Sequence, residues 1–186
     1  SRTKNLLVTG GCGFIGSNFI NLFYNRYPDI NIINIDALYY CADVNNINEN
    51  IRNSDRYSLI KGNICSADLL SHVLENYRID TVIHFAAQSH VQTSFTDSLQ
   101  YTQDNVVGTH TLLECCRKYD KIIRFIHVST DEVYGESMLD IEENKKTEHS
   151  ILCPTNPYAA SKAAAESIVQ SYIQSFKMPI IITRGN

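Results

Sequence analysis

No cationic surplus marks this chain of 186 residues: 16 Lys and Arg stand against 20 Asp and Glu, a formal net charge of -4. Nothing would draw it electrostatically to a phosphate backbone or an anionic membrane, so neither nucleic acid nor lipid is an expected partner. No apolar run approaches the roughly 20 residues that a membrane span needs. The opening Ser1-Arg2-Thr3-Lys4-Asn5 leads straight into a strand-like stretch without an apolar signal segment. These absences predict a cytoplasmic protein. Cysteine motifs are missing as well. Cys12, Cys41, Cys65, Cys115, Cys116 and Cys153 form no Cys-x-x-Cys pair, and none has a histidine at zinc-finger spacing. Reduced thiols and no metal site are expected. Internal repeats and low-complexity linkers are also lacking, and the length suits about one domain. Hydrophobic residues at 44% and charged residues at 19% are ordinary for a soluble globular chain.

What is present alternates regularly. Short β-branched runs lie at 5–9, 30–36, 57–61, 81–85, 122–130 and 179–183. Helix-like stretches fall near 14–27, 67–77, 98–119 and 158–176, with a weaker one near 44–52. Strands alternating with helices predict right-handed crossovers and an α/β fold, a doubly wound parallel sheet. Ligands on such sheets bind beyond the carboxyl ends of the strands. The segment 135–155 breaks the rhythm with little apolar period, and reads either as a flap over a ligand or as a tolerated insertion. Arg184-Gly185-Asn186 begins a loop and stops, so the chain reads as cut short.

Three motifs follow strand ends or open helices. Thr9-Gly10-Gly11-Cys12-Gly13-Phe14-Ile15-Gly16 contains G-x-G-x-x-G through Gly11, Gly13 and Gly16, and G-x-x-G-x-x-G through Gly10, Gly13 and Gly16. Glycines here allow a tight turn and close approach of backbone to a pyrophosphate at the start of the next helix. Asp36 closes the second strand about 20 residues on, where an acid meets the adenosine ribose and would repel a 2′-phosphate, so NAD is expected rather than NADP. Asn63 and Ile64, after the third strand, are placed to touch the adenine.

Two Tyr-x-x-x-Lys patterns occur. Tyr57 and Lys61 lie on a strand, where four residues span about 13 Å, too far to act together. Tyr158 and Lys162 open a helix at Pro157, where i and i+4 share a face. A nearby ammonium and a nicotinamide cation would lower the phenol's pKa from its usual value near 10 and make it a base. The fifth strand ends in Val128-Ser129-Thr130-Asp131-Glu132-Val133-Tyr134-Gly135. Adjacent carboxylates repel, so one would hold its proton and act as an acid while the other acts as a base.

On these residues, together with His84-Phe85-Ala86-Ala87-Gln88-Ser89-His90-Val91 and Asn105-Val106-Val107-Gly108-Thr109, the chain resembles the extended short-chain dehydrogenases/reductases. Within them it resembles the dTDP-glucose 4,6-dehydratases, over essentially its whole length. Thr130-Asp131-Glu132 is the most specific piece: related 4-epimerases lack the acid pair, and GDP-mannose dehydratases and UDP-glucuronate decarboxylases usually carry Ser in place of Asp131. The resemblance therefore implies dTDP- or UDP-glucose as substrate and a 4-keto-6-deoxy sugar, as in rhamnose synthesis, as product.

It also implies roles. Tyr158 is the base on the 4-hydroxyl and Lys162 its support; Glu132 removes the carbon-5 proton, Asp131 is the acid at carbon 6, and Thr130 bonds the 4-oxygen. Ser89, Thr130 and Asn186 match substrate positions. Phe14, Ile15, Ala37, Leu38, Tyr39, Phe85, Ala86, Ala87 and Ser89 match cofactor positions. Asn63 stands where the family usually has Asp, Asp104 where Thr is common beside the cofactor, and Gln88 where Glu is frequent. Family members continue into a substrate domain, expected here beyond 186, and form homodimers through the helices at 98–119 and 158–176. Ala159, Ala160, Ala163 and Ala164 suit such a pairing and equally suit a monomer's core. Other nucleotide-sugar enzymes of the class, disfavoured by Asp131, and a non-catalytic NAD sensor, which has no need of all four acid–base residues, are the alternatives.

Overall fold

The computed structural model describes residues 2–136 and 146–185. Strands β1 (Asn5–Thr9), β2 (Asn31–Asp36), β3 (Tyr57–Lys61), β4 (Thr81–His84), β5 (Arg124–Thr130) and β6 (Ile180–Gly185) form one sheet in the order β3-β2-β1-β4-β5-β6. Every neighbouring pair is parallel. The order reverses between β1 and β4, where Thr9 pairs with Ile35 on one side and His84 on the other. A cleft opens at such a reversal because the chain leaves the two strands toward opposite faces.

Both faces are covered where alternate strand residues demand it. Leu7, Ile33, Val82 and Phe125 pack under α3 (Ala67–Asn76), α6 (Gly108–Tyr119) and α7 (Pro157–Phe176) through Leu70, Leu74, Leu112, Leu113 and Val169. Leu6, Val8, Ile32 and Ile83 meet α1 (Phe14–Arg26) and α2 (Glu49–Arg52) through Ile20 and Ile51. Odd and even positions of β1 thus serve different helical layers, as a pleat of period two requires. Among the described residues no helix is long and apolar enough to cross a membrane.

The structure departs from the sequence expectations in four places. Arg184 and Gly185, expected to begin a loop, continue β6 because they pair with Ser129 and Thr130 of β5. The stretch at 98–119 is not one α-helix: α5 (Ser98–Tyr101) passes through a π-helical segment, Thr102–Val107, into α6. The weak helix at 44–52 splits into a 3-10 turn, Val44–Asn46, and α2, because Asn48 adopts an extended cap between them. A short α4 (Val91–Ser94) follows β4, its first turn capped by the His90 side chain. Of the irregular segment at 135–155, positions 137–145 lie outside the described residues; its C-terminal part is tied back where the Cys153 amide donates to the Val133 carbonyl at 2.9 Å.

Candidate active site

β1 delivers the chain into a turn at Gly10, whose amide donates to the Ile35 carbonyl at 2.8 Å. Gly10 has φ +74, and a Cβ there would stand 2.7 Å from the Ala86 backbone, so only glycine fits both the turn and the approach of the β4 loop. Gly13 precedes α1 and supplies no capping side chain. The first-turn amides of α1 therefore face a cavity with no side-chain cap of their own, the arrangement that receives a phosphate. Gly10, Gly13 and Gly16 line that cavity of about 780 Å³. Gly11 does not: its amide donates to Asn34 Oδ1 at 3.0 Å, and it packs against Asn34 and Ile20. The G-x-x-G-x-x-G reading of the turn is the one that meets the cavity.

Asp36, 7% exposed, is aimed by two backbone amides: Cys12 donates to Oδ2 at 2.9 Å and Leu38 to Oδ1 at 2.8 Å. Each oxygen keeps a lone pair for a ligand hydroxyl. Ala37, Tyr39, Asn63 and Ile64 continue the wall. Asn63 donates from Nδ2 to the Tyr39 hydroxyl at 2.9 Å, and its Oδ1 accepts the Cys65 amide at 2.9 Å. Asp104, on the π-helical segment, accepts Gln88 Nε2 at 2.9 Å through Oδ2; its Oδ1 is buried without a partner among the described residues. An orphaned acceptor beside the cavity, free helix-start amides and a fixed strand-end carboxylate together fit a dinucleotide with an adenosine end here. Leu38 is not in the cavity wall: at φ +57 its amide is turned onto Asp36.

The opposite end is built by β5 and α7. Asn156 caps α7 by accepting the Ala159 amide at 2.8 Å, which starts the helix so that Tyr158 and Lys162 both reach the cavity. Lys162, 5% exposed, donates from Nζ to the Val128 carbonyl at 2.8 Å. Burial pushes Lys162 down to about 8, against the opposing charge of Glu166. At Tyr158 the protein's own groups act against the lowering expected from Lys162 and a nicotinamide cation together. Burial, then the charges of Glu132 and Asp131, raise its pKa, while a hydrogen bond with Thr130 pulls it down.

Thr130 ends β5 and lines the cavity; its hydroxyl accepts the Glu132 amide and donates to Asp131 Oδ1, each at 3.3 Å. Asp131 and Glu132 stand in the 3-10 turn Asp131–Tyr134, at the rim rather than in the wall, with Glu132 Oε2 accepting Asn156 Nδ2 at 3.2 Å. Phe14, Ile15, Phe85, Ala86, Ala87 and Ser89 line the middle of the cavity. Tyr57 and Lys61 do not reach it; the Tyr57 hydroxyl accepts Asn34 Nδ2 at 3.0 Å in the core. Asn186 lies outside the described residues.

Other residues complete the site. Gln88, noted in the sequence as standing where Glu is frequent, lines the wall; Asn105, whose contact the sequence did not indicate, clamps its backbone, accepting the Gln88 amide at 2.7 Å and donating to its carbonyl at 3.0 Å. Asn105 also donates to Ser161 Oγ at 2.9 Å, and Ser161 donates to the Tyr158 carbonyl at 2.7 Å. This chain links the β4 loop to the first turn of α7. Asn105 projects from the π-helical segment, which has no periodic signal in sequence. Ser129 and Arg184, also in the wall, are reached only through strand pairing of β5 with β6.

A Tyr/Lys pair on one helix face, opposite a glycine turn at the reversal of a parallel sheet, defines the extended short-chain dehydrogenase/reductase class. Within it the chain belongs to the GDP-mannose 4,6 dehydratase family, whose model matches residues 7–185. It is 48% identical over 185 residues to a trifunctional UDP-glucose 4,6-dehydratase/UDP-4-keto-6-deoxy-D-glucose 3,5-epimerase/UDP-4-keto-L-rhamnose-reductase of Arabidopsis thaliana, covering 100% of this chain and 28% of that protein. It is 46% identical over 183 residues to dTDP-D-glucose 4,6-dehydratase of Homo sapiens, covering 98% of this chain and 51% of the relative. The solved dTDP-glucose 4,6-dehydratase of Bacillus anthracis in complex with NAD superposes with a TM-score of 0.87 at 39% identity, over 98% of this chain and 54% of that one. The chain spans about half the length of the dehydratases it matches and less of the trifunctional protein.

Proposed function

We propose that the full-length protein is an NAD-dependent nucleotide-sugar 4,6-dehydratase acting on dTDP-glucose or UDP-glucose. The observation that carries this reading is the acid pair Asp131–Glu132, one residue past Thr130 and close enough to Tyr158 to raise its pKa. An oxidoreductase that only moves a hydride has no use for two carboxylates there; removal of water needs both a base and an acid.

NAD held by the Gly10–Gly16 turn, Asp36, Asn63 and Ile64 would supply the acceptor for the hydride of carbon 4 and its return to carbon 6. Tyr158 takes the proton of the 4-hydroxyl, with Thr130 bonded to the same oxygen. The charge of Lys162 stabilises the phenolate once it forms. The ketone at carbon 4 acidifies carbon 5, whose proton Glu132 removes. Asp131 donates its proton to the departing hydroxyl of carbon 6, and Ser89 orients the sugar. Asn186 is proposed as a further substrate contact.

The same reading includes a substrate domain beyond residue 186 that reads the nucleotide base, supported by relatives about twice as long. It includes a homodimer, supported by the exposed small stripe Ala160, Ala164 and Ser167 on α7 and by exposed Leu99 on α5. Free thiols at all six cysteines support a cytoplasmic location. A product feeding rhamnose-type sugars follows from the 4-keto-6-deoxy chemistry.

Incubation of the full-length protein and NAD with dTDP-glucose, UDP-glucose and GDP-mannose separately, read by mass spectrometry, tests the assignment. A product lighter by one water from a glucose nucleotide is expected; intact mass from all three would contradict it. Asp131→Asn combined with Glu132→Gln should lower the rate of water loss by about 10³-fold or more while NAD stays bound. Wild-type turnover in that double variant would remove the acid–base assignment.

A further inference from the structure

Glu166 is the most deeply buried charged side chain among the described residues, at 0% exposure, yet it does not line the cavity. Both of its oxygens are engaged. Oε2 accepts Ser129 Oγ at 2.8 Å; Oε1 accepts Arg184 Nε at 2.9 Å and also Arg184 Nη2. From β6, Arg184 reaches on, its Nη1 donating to the Tyr134 hydroxyl at 2.6 Å and to the Glu148 carbonyl at 3.0 Å. Ser129 immediately precedes Thr130-Asp131-Glu132, and Tyr134 ends the turn that carries the acid pair. Glu166 itself lies one helical turn beyond Lys162 on α7, on the same face. One carboxylate therefore ties together the helix bearing Tyr158 and Lys162, both ends of the acid-pair turn, and β6.

A buried ion pair seldom adds stability over apolar residues of similar volume, because both ions lose their hydration. What it does supply is a fixed geometry and a local field. We propose that Glu166, seated by Arg184 and Ser129, is a positioning residue that sets the spacing between the Tyr158/Lys162 pair and the acid-pair turn, and whose charge keeps Lys162 an ammonium inside the protein. This inference rests on the reading of those residues as the acid–base groups of the reaction.

The surroundings of Lys162 leave this task to Glu166. Around the ammonium are the Val128 carbonyl and His127 from β5, His84 from β4, and Glu166 from its own helix, with Arg184 of β6 behind the carboxylate. His84 is held to about 3 by burial and by the charge of Lys162, and His127 is pushed well below its usual range for the same reasons. Both histidines are neutral at working pH and supply no counter-charge. Burial drives Lys162 toward the amine, and Glu166 is the charge that opposes it. A carboxylate in this low-dielectric interior acts over one helical turn far more strongly than it would in water.

The test uses the full-length, NAD-loaded protein as wild type, Glu166→Gln and Glu166→Asp. The Lys162 midpoint is read by NMR of carbon-labelled lysine, assigned by loss of the signal in Lys162→Met. The wild-type midpoint is expected near 8, as burial sets it. Glu166→Gln should lower it by about one pH unit or more, and the alkaline limb of kcat for water loss should move with it, while KM changes by less than about threefold. Glu166→Asp should recover part of the shift. An unchanged midpoint and an unchanged alkaline limb in folded Glu166→Gln would overturn the proposal. If Glu166→Gln does not fold with Arg184 left as an unpaired buried charge, Glu166→Gln with Arg184→Met removes both charges and is read in the same way. The lysine titration needs no turnover. Absence of water loss in wild type would thus refute the assigned reaction, while the titration still decides whether Glu166 governs Lys162.

Discussion

The side-chain oxygens of Asn34 and Asp36 on β2 are held by backbone amides, whereas Glu166 and Arg184, beside β5 and β6, are held chiefly by side chains. Asn34 takes the Gly11 amide and Asp36 takes the amides of Cys12 and Leu38. Across the sheet, Glu166 binds Ser129 and Arg184, Arg184 binds Tyr134, and Lys162 lies one turn away on the same helix. The first arrangement needs a particular backbone path and few charges. The second needs charges removed from water, each costly unless its partners are in place. The candidate cofactor cradle and the proposed acid–base site thus draw on different physics within one sheet, the second burying charges at a cost in stability.

The sharpest contrast should appear at Lys162. Its pKa is lowered from 10.5 to about 8 by burial, so the folded state binds its proton less tightly than the unfolded chain does. The resulting penalty is present in full below pH 8 and fades as pH rises from about 8 to 10.5. Lys162→Met should therefore unfold at higher denaturant, by about 3 kcal/mol at pH 7, while losing about 10²-fold or more in kcat. A destabilised, inactive Lys162→Met would contradict this account of the buried ammonium.

Acid should act on the same half of the sheet. His84 is neutral down to about 3, its Nδ1 hydrogen-bonded to Thr9 at 2.6 Å and its Nε2 to Thr109 at 2.8 Å. The unfolded histidine takes its proton near 6.5, so the stability His84 contributes is complete above that pH and is lost as pH falls toward 3. Each buried histidine should contribute a slope of about 1.4 kcal/mol per pH unit in that window. His127→Leu, which removes a ring with no hydrogen-bond partner among the described residues, should reduce the slope by about that amount. Equilibrium unfolding at several pH values measures it.

In the cofactor half, effects should be smaller and steric. Gly10→Ala places a Cβ 2.7 Å from the Ala86 backbone at φ +74, and should cost about 1–3 kcal/mol of stability together with NAD affinity. Asn63→Asp keeps the acceptor for the Cys65 amide and loses the donor to Tyr39. Its expected effect on NAD affinity, read by calorimetry, is about 1 kcal/mol, the smallest of the set.

The same contrast governs what was legible in the sequence. Six strands, their parallel pairing and the glycine turn follow from period two, from alternation with helices and from residues such as Gly10 that announce a backbone conformation. Tyr158 and Lys162 were legible because helical spacing alone joins them. Glu166 and Arg184 were not: 18 positions separate them, and only the pairing of β5 with β6 and the packing of α7 brings them together. The π-helical segment that presents Asp104 and Asn105 escaped because a widened turn leaves the apolar pattern of 98–119 nearly intact. What the protein's own groups do to Tyr158 was not legible for a related reason. Spacing placed an ammonium near the phenol, but burial and the charges of Glu132 and Asp131, which raise its pKa, depend on the folded packing.

The most direct measurement of the central claim is the fate of the hydrogen on carbon 4. The full-length protein with NAD would be given dTDP-glucose or UDP-glucose deuterated at carbon 4, and the product read by mass spectrometry and NMR. A product lighter by one water with deuterium on carbon 6 is predicted, since the hydride leaves and returns within one site. A product of unchanged mass with deuterium still on carbon 4, or label lost to solvent without loss of water, would contradict it.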